Sequence, residues 1–300
     1  MDSSEKRLVT IGGVEVGGSP VNPTVLIGCM FYRKHKIVED HRRGLFDRKE
    51  AEKLILLQEE WSDKTGIPCM VDIFGETSDA LIKYLDFVSS ITDKPILLNG
   101  STWRVRISAM NHACEVGLNS RVIYTSVNYA SPREEFEALA ELKVKNIILQ
   151  TFNPKNLKPE GALELLAGEN GLLSKCSSAE NILLLSTVLD LASVGVALEA
   201  LKFLKEKLGY PCGIAPCGVA TAWKKNMVLG AEAKRICLGG ILGYSLAYGA
   251  DFIIYGSIRK APEVFHVCAM LCSIAAYSEK FCRLKRIKKS HPLFKYFSKP

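Results

Sequence analysis

The chain has no run of 18 apolar residues. Its richest stretch, Ile241 to Tyr255, is interrupted by Gly243, Gly249 and Asp251, so we expect no membrane span. The first seven residues, Met1-Asp2-Ser3-Ser4-Glu5-Lys6-Arg7, contain no apolar core of a secretory signal, and a cytoplasmic protein is expected. Ten cysteines occur, but no Cys-x-x-Cys and no paired zinc spacing. They read as small buried hydrophobes kept reduced, and no metal is expected. Glycine and proline together are 35 of 300 residues, too few for a low-complexity chain. A net positive charge is missing from most of the molecule as well. The net charge is +7, yet residues 280–300 hold eight Lys and Arg and no acidic residue, so the other 279 sum to −1. A near-neutral body argues against nucleic-acid binding.

What is present is a repeat of buried strand and amphipathic helix. Eight short apolar runs read as strands: Val25–Phe31, Cys69–Gly75, Pro95–Ser101, Arg121–Val127, Asn146–Phe152, Asn181–Val188, Tyr210–Cys217 and Asp251–Ser257. Each is almost continuously apolar, as parallel strands covered on both faces are. Helical patterns lie between them at Asp47–Thr65, Ser78–Thr92, Thr102–Val116, Pro132–Leu142, Ala192–Leu208 and Val219–Tyr248. Another, Arg259–Glu279, follows the last strand. The first is the best delimited: Asp47 stands as N-cap with Glu50 three residues on, and Gly66 and Pro68 close it.

The eight strands start 25 to 44 residues apart with helical patterns between, which predicts an α/β fold of the (β/α)8 TIM-barrel type. An open doubly wound sheet would show a glycine-rich turn after its first strand, and Cys29-Met30-Phe31-Tyr32-Arg33-Lys34-His35 is no such turn. Leu8–Gly18 predicts a small hairpin plugging the barrel bottom. We read residues 1–279 as one barrel domain and 280–300 as a basic C-terminal tail. Leu293, Phe294, Tyr296 and Phe297 are expected to pack that tail back on the barrel.

Barrel chemistry sits at the C-terminal strand ends. Those ends supply Asp72, Glu76, Asn99, Thr125, Asn128, Asn153 and Ser186, a rim rich in neutral hydrogen-bonding groups and poor in charge. Such a rim suits a planar polar heterocycle better than a phosphate or a metal. Each residue also has a structural alternative. Asp72 and Glu76 could cap the helix starting near Ser78, the asparagines could build loops, and His35 could be a solvated loop residue.

At these residues the chain resembles the H-subunit family of tetrahydromethanopterin S-methyltransferase, which includes the corrinoid:tetrahydrofolate methyltransferases. The likeness runs from about Val9 to Phe294. It is carried by Pro23–Gly28 with Phe31-Tyr32, His35–Val38 with Asp40, Gly44–Asp47, Ser62–Gly66, Asp72 with Gly75-Glu76-Thr77, Phe152-Asn153-Pro154, Thr187–Leu191 and Asp251–Gly256. The resemblance implies a pterin-binding barrel that moves a methyl group between N5 of a reduced pterin, tetrahydrofolate or tetrahydromethanopterin, and a cobalamin carried by a partner corrinoid protein. It also implies a homodimer. Asp72, with Asn99, would meet the pterin edge. Glu76, Thr125, Asn128, Asn153 and Ser186 would be further cofactor contacts, with Asn99 and Ser186 nearest the chemistry. Against the family pattern, Asn99 stands where the family carries Asp, Thr125 where it carries Asn, Ser186 where it carries Asp, and Gly218 where it carries Asn. Two readings follow: a methyltransferase with a substituted pterin site, or a non-catalytic paralogue that docks a corrinoid protein or another methyltransferase component.

Overall fold

The computed structural model describes residues 7–297, without the side chains of residues 225–227 inside a helix. Met1–Lys6, and the last three residues of the basic tail, lie outside the described residues. Two three-residue strands, β1 (Val9–Ile11) and β2 (Val14–Val16), pair antiparallel as a hairpin. The barrel follows: β3 (Val25–Met30), β6 (Cys69–Gly75), β7 (Ile96–Gly100), β8 (Val122–Val127), β9 (Asn146–Gln150), β10 (Asn181–Ser186), β11 (Cys212–Ile214) and β12 (Phe252–Ser257). These eight close on themselves in chain order, all parallel. A second hairpin, β4 (Val38–Asp40) with β5 (Leu45–Phe46), rises from the first strand–helix loop.

The expected helices are present with small shifts: α1 (Arg48–Thr65), α2 (Ser78–Ile91), α3 (Trp103–Glu115), α4 (Arg133–Glu141), α7 (Ser193–Leu208) and α10 (Ala261–Cys282). In α1 the Asp47 side chain accepts from the Glu50 N–H, and Gly66 ends the helix at φ 75°. That left-handed turn favours glycine. Two short helices that the sequence pattern did not predict, α5 (Pro159–Leu166) and α6 (Leu172–Lys175), fill the β9–β10 connection. The pattern over Val219–Tyr248 divides into α8 (Cys217–Ala222) and α9 (Lys224–Ala247), the latter interrupted at Gly230 by non-helical backbone. The seventh strand is only three residues long, bracketed by Pro211 and Pro216, which lack the N–H a ladder needs. Cys217 and Gly218 therefore open α8 instead of ending a strand.

The core has two layers. Side chains on the outer faces of the strands pack under the helices, and a smaller set fills the lumen: Val25, Ile27, Met70, Leu97, Ile123, Ile148, Leu183 and Phe252. Ile11, Val14 and Val16 join the lumen set, so the β1–β2 hairpin plugs the N-terminal end. Each such burial is worth on the order of 2 kcal/mol. Asp251 ties that end together. It accepts from the Ser19 and Cys212 backbone N–H groups at 3.1 and 3.0 Å, and pairs with Lys205 at 2.8 Å.

Among the described residues one helix, Ile258–Cys282, is by length and composition apolar enough to cross a membrane. Its Val264, Phe265, Cys268, Ala269 and Cys272 are buried against the barrel. Beyond it the chain returns to the N-terminal end of the barrel, where Ile287 and Leu293 pack with Ala276, Val21 and Phe294. The buried His291 caps α11 (Pro292–Lys295) there, and Lys288 pairs with Glu15 of β2. The described basic residues of this segment thus lie at the end of the barrel opposite its C-terminal mouth.

Candidate functional site

Strand alternation decides what enters the lumen. Inward Val25 and Ile27 put Cys29 inward on β3. Met70 does the same for Asp72 on β6, Leu97 for Asn99 on β7, and Ile123 for Thr125 on β8. Four adjacent strands therefore deliver Cys29, Asp72, Asn99 and Thr125 to one side of the mouth. Cys29 and Asp72 are register partners.

Asp72 is 5% exposed, and its Oδ1 is buried without a hydrogen-bond partner. Burial pushes its carboxyl up to about 6, while hydrogen bonds from the Cys29 and Asn99 side chains favour the ionised form and hold it there. Burial, then the nearby Asp72 charge, raises the Cys29 thiol well above its ordinary value, so it stays a neutral donor. Thr125 has only a long 3.5 Å contact to the Ile123 carbonyl, which leaves its hydroxyl available. A carboxylate with an unused acceptor, flanked by an amide and a hydroxyl, can receive a donor edge of a flat heterocycle. Asp72 caps no helix: Thr77 caps α2, its hydroxyl accepting from the Ala80 N–H at 3.2 Å.

A buried brace holds the neighbouring strand ends. Arg106 donates to Glu135 at 2.9 Å and to the carbonyls of Gly100 and Ser126, and Tyr124 donates to Glu135 at 2.5 Å. Glu135 is 1% exposed. Sequence pattern gave no sign of this pair, since Glu135 lies in an ordinary charged helix segment.

The remaining expected site residues lie outside the inward positions of these four strands. Glu76 is half-buried in the loop after β6, where its carbonyl accepts from the Ser101 hydroxyl at 2.7 Å. The Asn128 side-chain oxygen accepts from the Ala130 N–H at 2.8 Å, and the Asn128 backbone N–H donates to the Ser131 hydroxyl. Asn153 accepts from the Lys155 N–H at 3.0 Å and donates to the Gly161 carbonyl at 2.9 Å. Both asparagine side chains are occupied in building loops. Ser186 follows Ile182 and Leu184 on the outer face of β10, whereas Leu183 and Leu185 fill the lumen. It lines a side cavity with Thr151, Asn153 and Thr187. Gly218 is exposed, and a Cβ there would meet nothing within 4 Å.

His35 is buried, contrary to the solvated-loop alternative. Its Nδ1 accepts from the Phe31 N–H at 3.1 Å, its ring stacks on Tyr32, and its Nε2 has no partner. Burial first, then Arg259 and His41, lowers it to about 4. Among the described residues no three His, Cys, Asp or Glu side chains are grouped to hold a metal.

The architecture matches solved dihydropteroate synthases. That of Yersinia pestis, in a sulfonamide drug complex, superposes with a TM-score of 0.62 over 90% of this chain and 100% of its own, at 13% identity. The Xanthomonas albilineans enzyme, solved with 7,8-dihydropteroate, gives 0.61 over 89% and 98%, also at 13% identity. Identity this low speaks for the barrel fold alone. Sequence relatives are nearer. The H subunit of tetrahydromethanopterin S-methyltransferase from Methanothermobacter thermautotrophicus is 36% identical over 97% of each chain. The H subunit of a putative methyltransferase, mtx, from Methanosarcina acetivorans is 37% identical over 89% of this chain and 90% of its own. The family model for the tetrahydromethanopterin S-methyltransferase MtrH subunit matches residues 4–285. With nearly the whole barrel covered, this chain belongs to the MtrH family of tetrahydromethanopterin S-methyltransferase subunits.

Proposed function

We propose that the protein transfers a methyl group between N5 of a reduced pterin, tetrahydrofolate or tetrahydromethanopterin, and the cobalamin of a partner corrinoid protein. The carrying observation is Asp72: a buried carboxyl at the lumen mouth with an unpaired acceptor oxygen. A buried acceptor without a partner costs about 1–3 kcal/mol, which a ligand N–H would recover. Bound pterin supplies the nitrogen at which the methyl group arrives or leaves, and the corrinoid supplies the other terminus.

In this reading Asp72 grips the donor edge of the ring. Asn99 orients Asp72 through its amide and offers its carbonyl to the ligand. Thr125 adds one hydroxyl. The apolar lumen floor of Ile27, Met70, Leu97 and Ile123 excludes water beneath the ring. Preorganised dipoles in such a dry mouth stabilise charge as the N5 bond changes.

The exposed stripe Met270, Ile274, Tyr277 and Phe281 on α10 supports assembly, with a homodimer in the cytoplasm as the form we propose. A non-catalytic protein that docks a corrinoid protein or another methyltransferase component is the second reading. It is favoured by Gly218 having no side chain to offer and by Ser186 facing away from the lumen.

Calorimetric titration of tetrahydrofolate and of tetrahydromethanopterin into wild type and Asp72→Ala tests the first reading. Loss of a charge-assisted hydrogen bond should weaken binding by at least ~1.5 kcal/mol. Equal affinities would make Asp72 structural. Pterin binding without methyl transfer from free or protein-bound methylcobalamin would favour the second reading.

A further inference from the structure

Residues 280–289 leave α10 and run along the plugged end of the barrel, with six Lys and Arg in ten residues and no acidic one. The segment is fixed in place. Ile287 is buried against Ala276 and Leu293, and the Arg283 and Lys285 N–H groups both donate to the Glu279 carbonyl at 3.2 Å. Arg283 pairs with Glu279, and Lys288 with Glu15. Lys285, Arg286 and Lys289 are exposed, and among the described residues no ion pair engages them. Two apolar features are set among these cations. Leu284 is 88% exposed, at φ 54°. That left-handed position at a helix end usually goes to glycine, because a Cβ is strained there. A leucine kept there and turned to water adds nothing to the core. Two residues on begins an open hollow of about 1020 Å3, lined by Arg286, Ile287, Lys288, Lys289 and Phe294.

The apolar groups decide what such a surface fits. A nucleic acid would pair with the cations but offers a projecting leucine no apolar surroundings. An anionic bilayer meets both features: its phosphates pair with Lys and Arg, and its interface takes up apolar side chains set between them. Each Lys or Arg held near such a surface strengthens binding about fivefold. We infer that the plugged end of this molecule is a docking surface for an anionic phospholipid membrane. Lys285, Arg286 and Lys289 meet the phosphate headgroups, and Leu284 inserts between them. Docked in this way, the protein turns its C-terminal mouth away from the bilayer, open to water. The surface is separate from the mouth and does not depend on what the mouth binds.

The test is co-sedimentation of the full chain with phosphatidylglycerol vesicles and, in parallel, with neutral phosphatidylcholine vesicles. Binding to phosphatidylglycerol should be about tenfold or more the stronger. It should weaken between about 0.1 M and about 1 M salt, as the screening length shrinks from about 10 to about 3 Å. The triple variant Lys285→Gln, Arg286→Gln, Lys289→Gln should bind phosphatidylglycerol about thirtyfold or more weakly. Leu284→Gly suits the left-handed backbone, so it should keep or raise the melting temperature while weakening vesicle binding about threefold or more. Equal binding to the two lipids, or full-strength binding by the triple variant, overturns the proposal. Polyaspartate or a DNA duplex bound as tightly as phosphatidylglycerol, with no loss on Leu284→Gly, would assign the surface to an acidic protein or a nucleic acid and overturn it equally.

Discussion

Cys29 and Asp72 are register partners on β3 and β6, both turned into the lumen at its C-terminal mouth. The pairing sets a neutral thiol donor beside the one buried carboxyl there. With the Asn99 amide, it holds that carboxyl at about 6 against a burial effect that would push it higher. The site is therefore near its ionisation point in the physiological range.

Asp72 should cost stability where it serves binding. Its folded value lies above the ordinary 3.8, so the folded chain holds a proton that the unfolded chain has lost. Its contribution therefore falls as pH rises from about 4 through about 6. Asp72→Asn should raise unfolding free energy at pH 7.5 by on the order of 2 kcal/mol and leave it unchanged at pH 4. Urea denaturation at the two pH values checks this; equal effects at both would detach the gain from the charge.

Two buried histidines should dominate acid sensitivity in the opposite direction. His35 and His291 are each lowered from 6.5 to about 4, burial being the main cause. The unfolded chain then binds more protons between those values, so stability is lost as pH falls from about 6.5 to about 4. Each could contribute up to about 3 kcal/mol. His291→Gln should flatten the slope of unfolding free energy against pH in that window by about one proton. An unchanged slope would mean that His291 titrates normally.

On the proposed methyltransferase reading, Asn99→Asp with Gly218→Asn, the residues that the family resemblance implies, is expected to raise methyl transfer. Gly218→Asn is sterically open, since an added Cβ meets nothing within 4 Å. Asn99→Asp places a second carboxyl beside Asp72, and like charges raise one another's pKa. The double variant should therefore transfer methyl from methylcobalamin to a reduced pterin faster, with its pH optimum displaced upward. Cobalamin absorbance reports both. No gain in a folded double variant would support the docking reading.

The basic tail should be silent in the reaction. Lys285, Arg286, Lys288 and Lys289 sit at the plugged end of the barrel, away from the mouth where the proposed corrinoid partner would dock. Neutralising all four should leave stopped-flow association with a corrinoid protein unchanged across a salt series. Stability should fall by no more than about 1 kcal/mol, the scale of one exposed ion pair with Glu15. A slower association at low salt would place the partner at both ends of the barrel.

The barrel itself was legible in the chain because each strand is a continuous apolar run and each helix an amphipathic one. The cap pair Asp47 and Gly66, and the plugging hairpin, were legible for the same local reasons. Asp72 stood out as the one charged residue in the interior of an apolar run. The same continuity hid the rest. A strand buried on both faces shows no alternation, so nothing in Ile182–Leu185 tells that Ser186 faces outward. Only closure of the sheet assigns that parity. The loop roles of Asn128 and Asn153 depend on backbone groups two to eight residues away, and the Arg106–Glu135 brace joins residues 29 apart. Such contacts exist only once strands and helices are stacked. The tail's charge could be counted in the sequence, but its place follows from topology. After eight parallel strands, the last helix carries the chain back to the N-terminal end, opposite the mouth where the lumen opens.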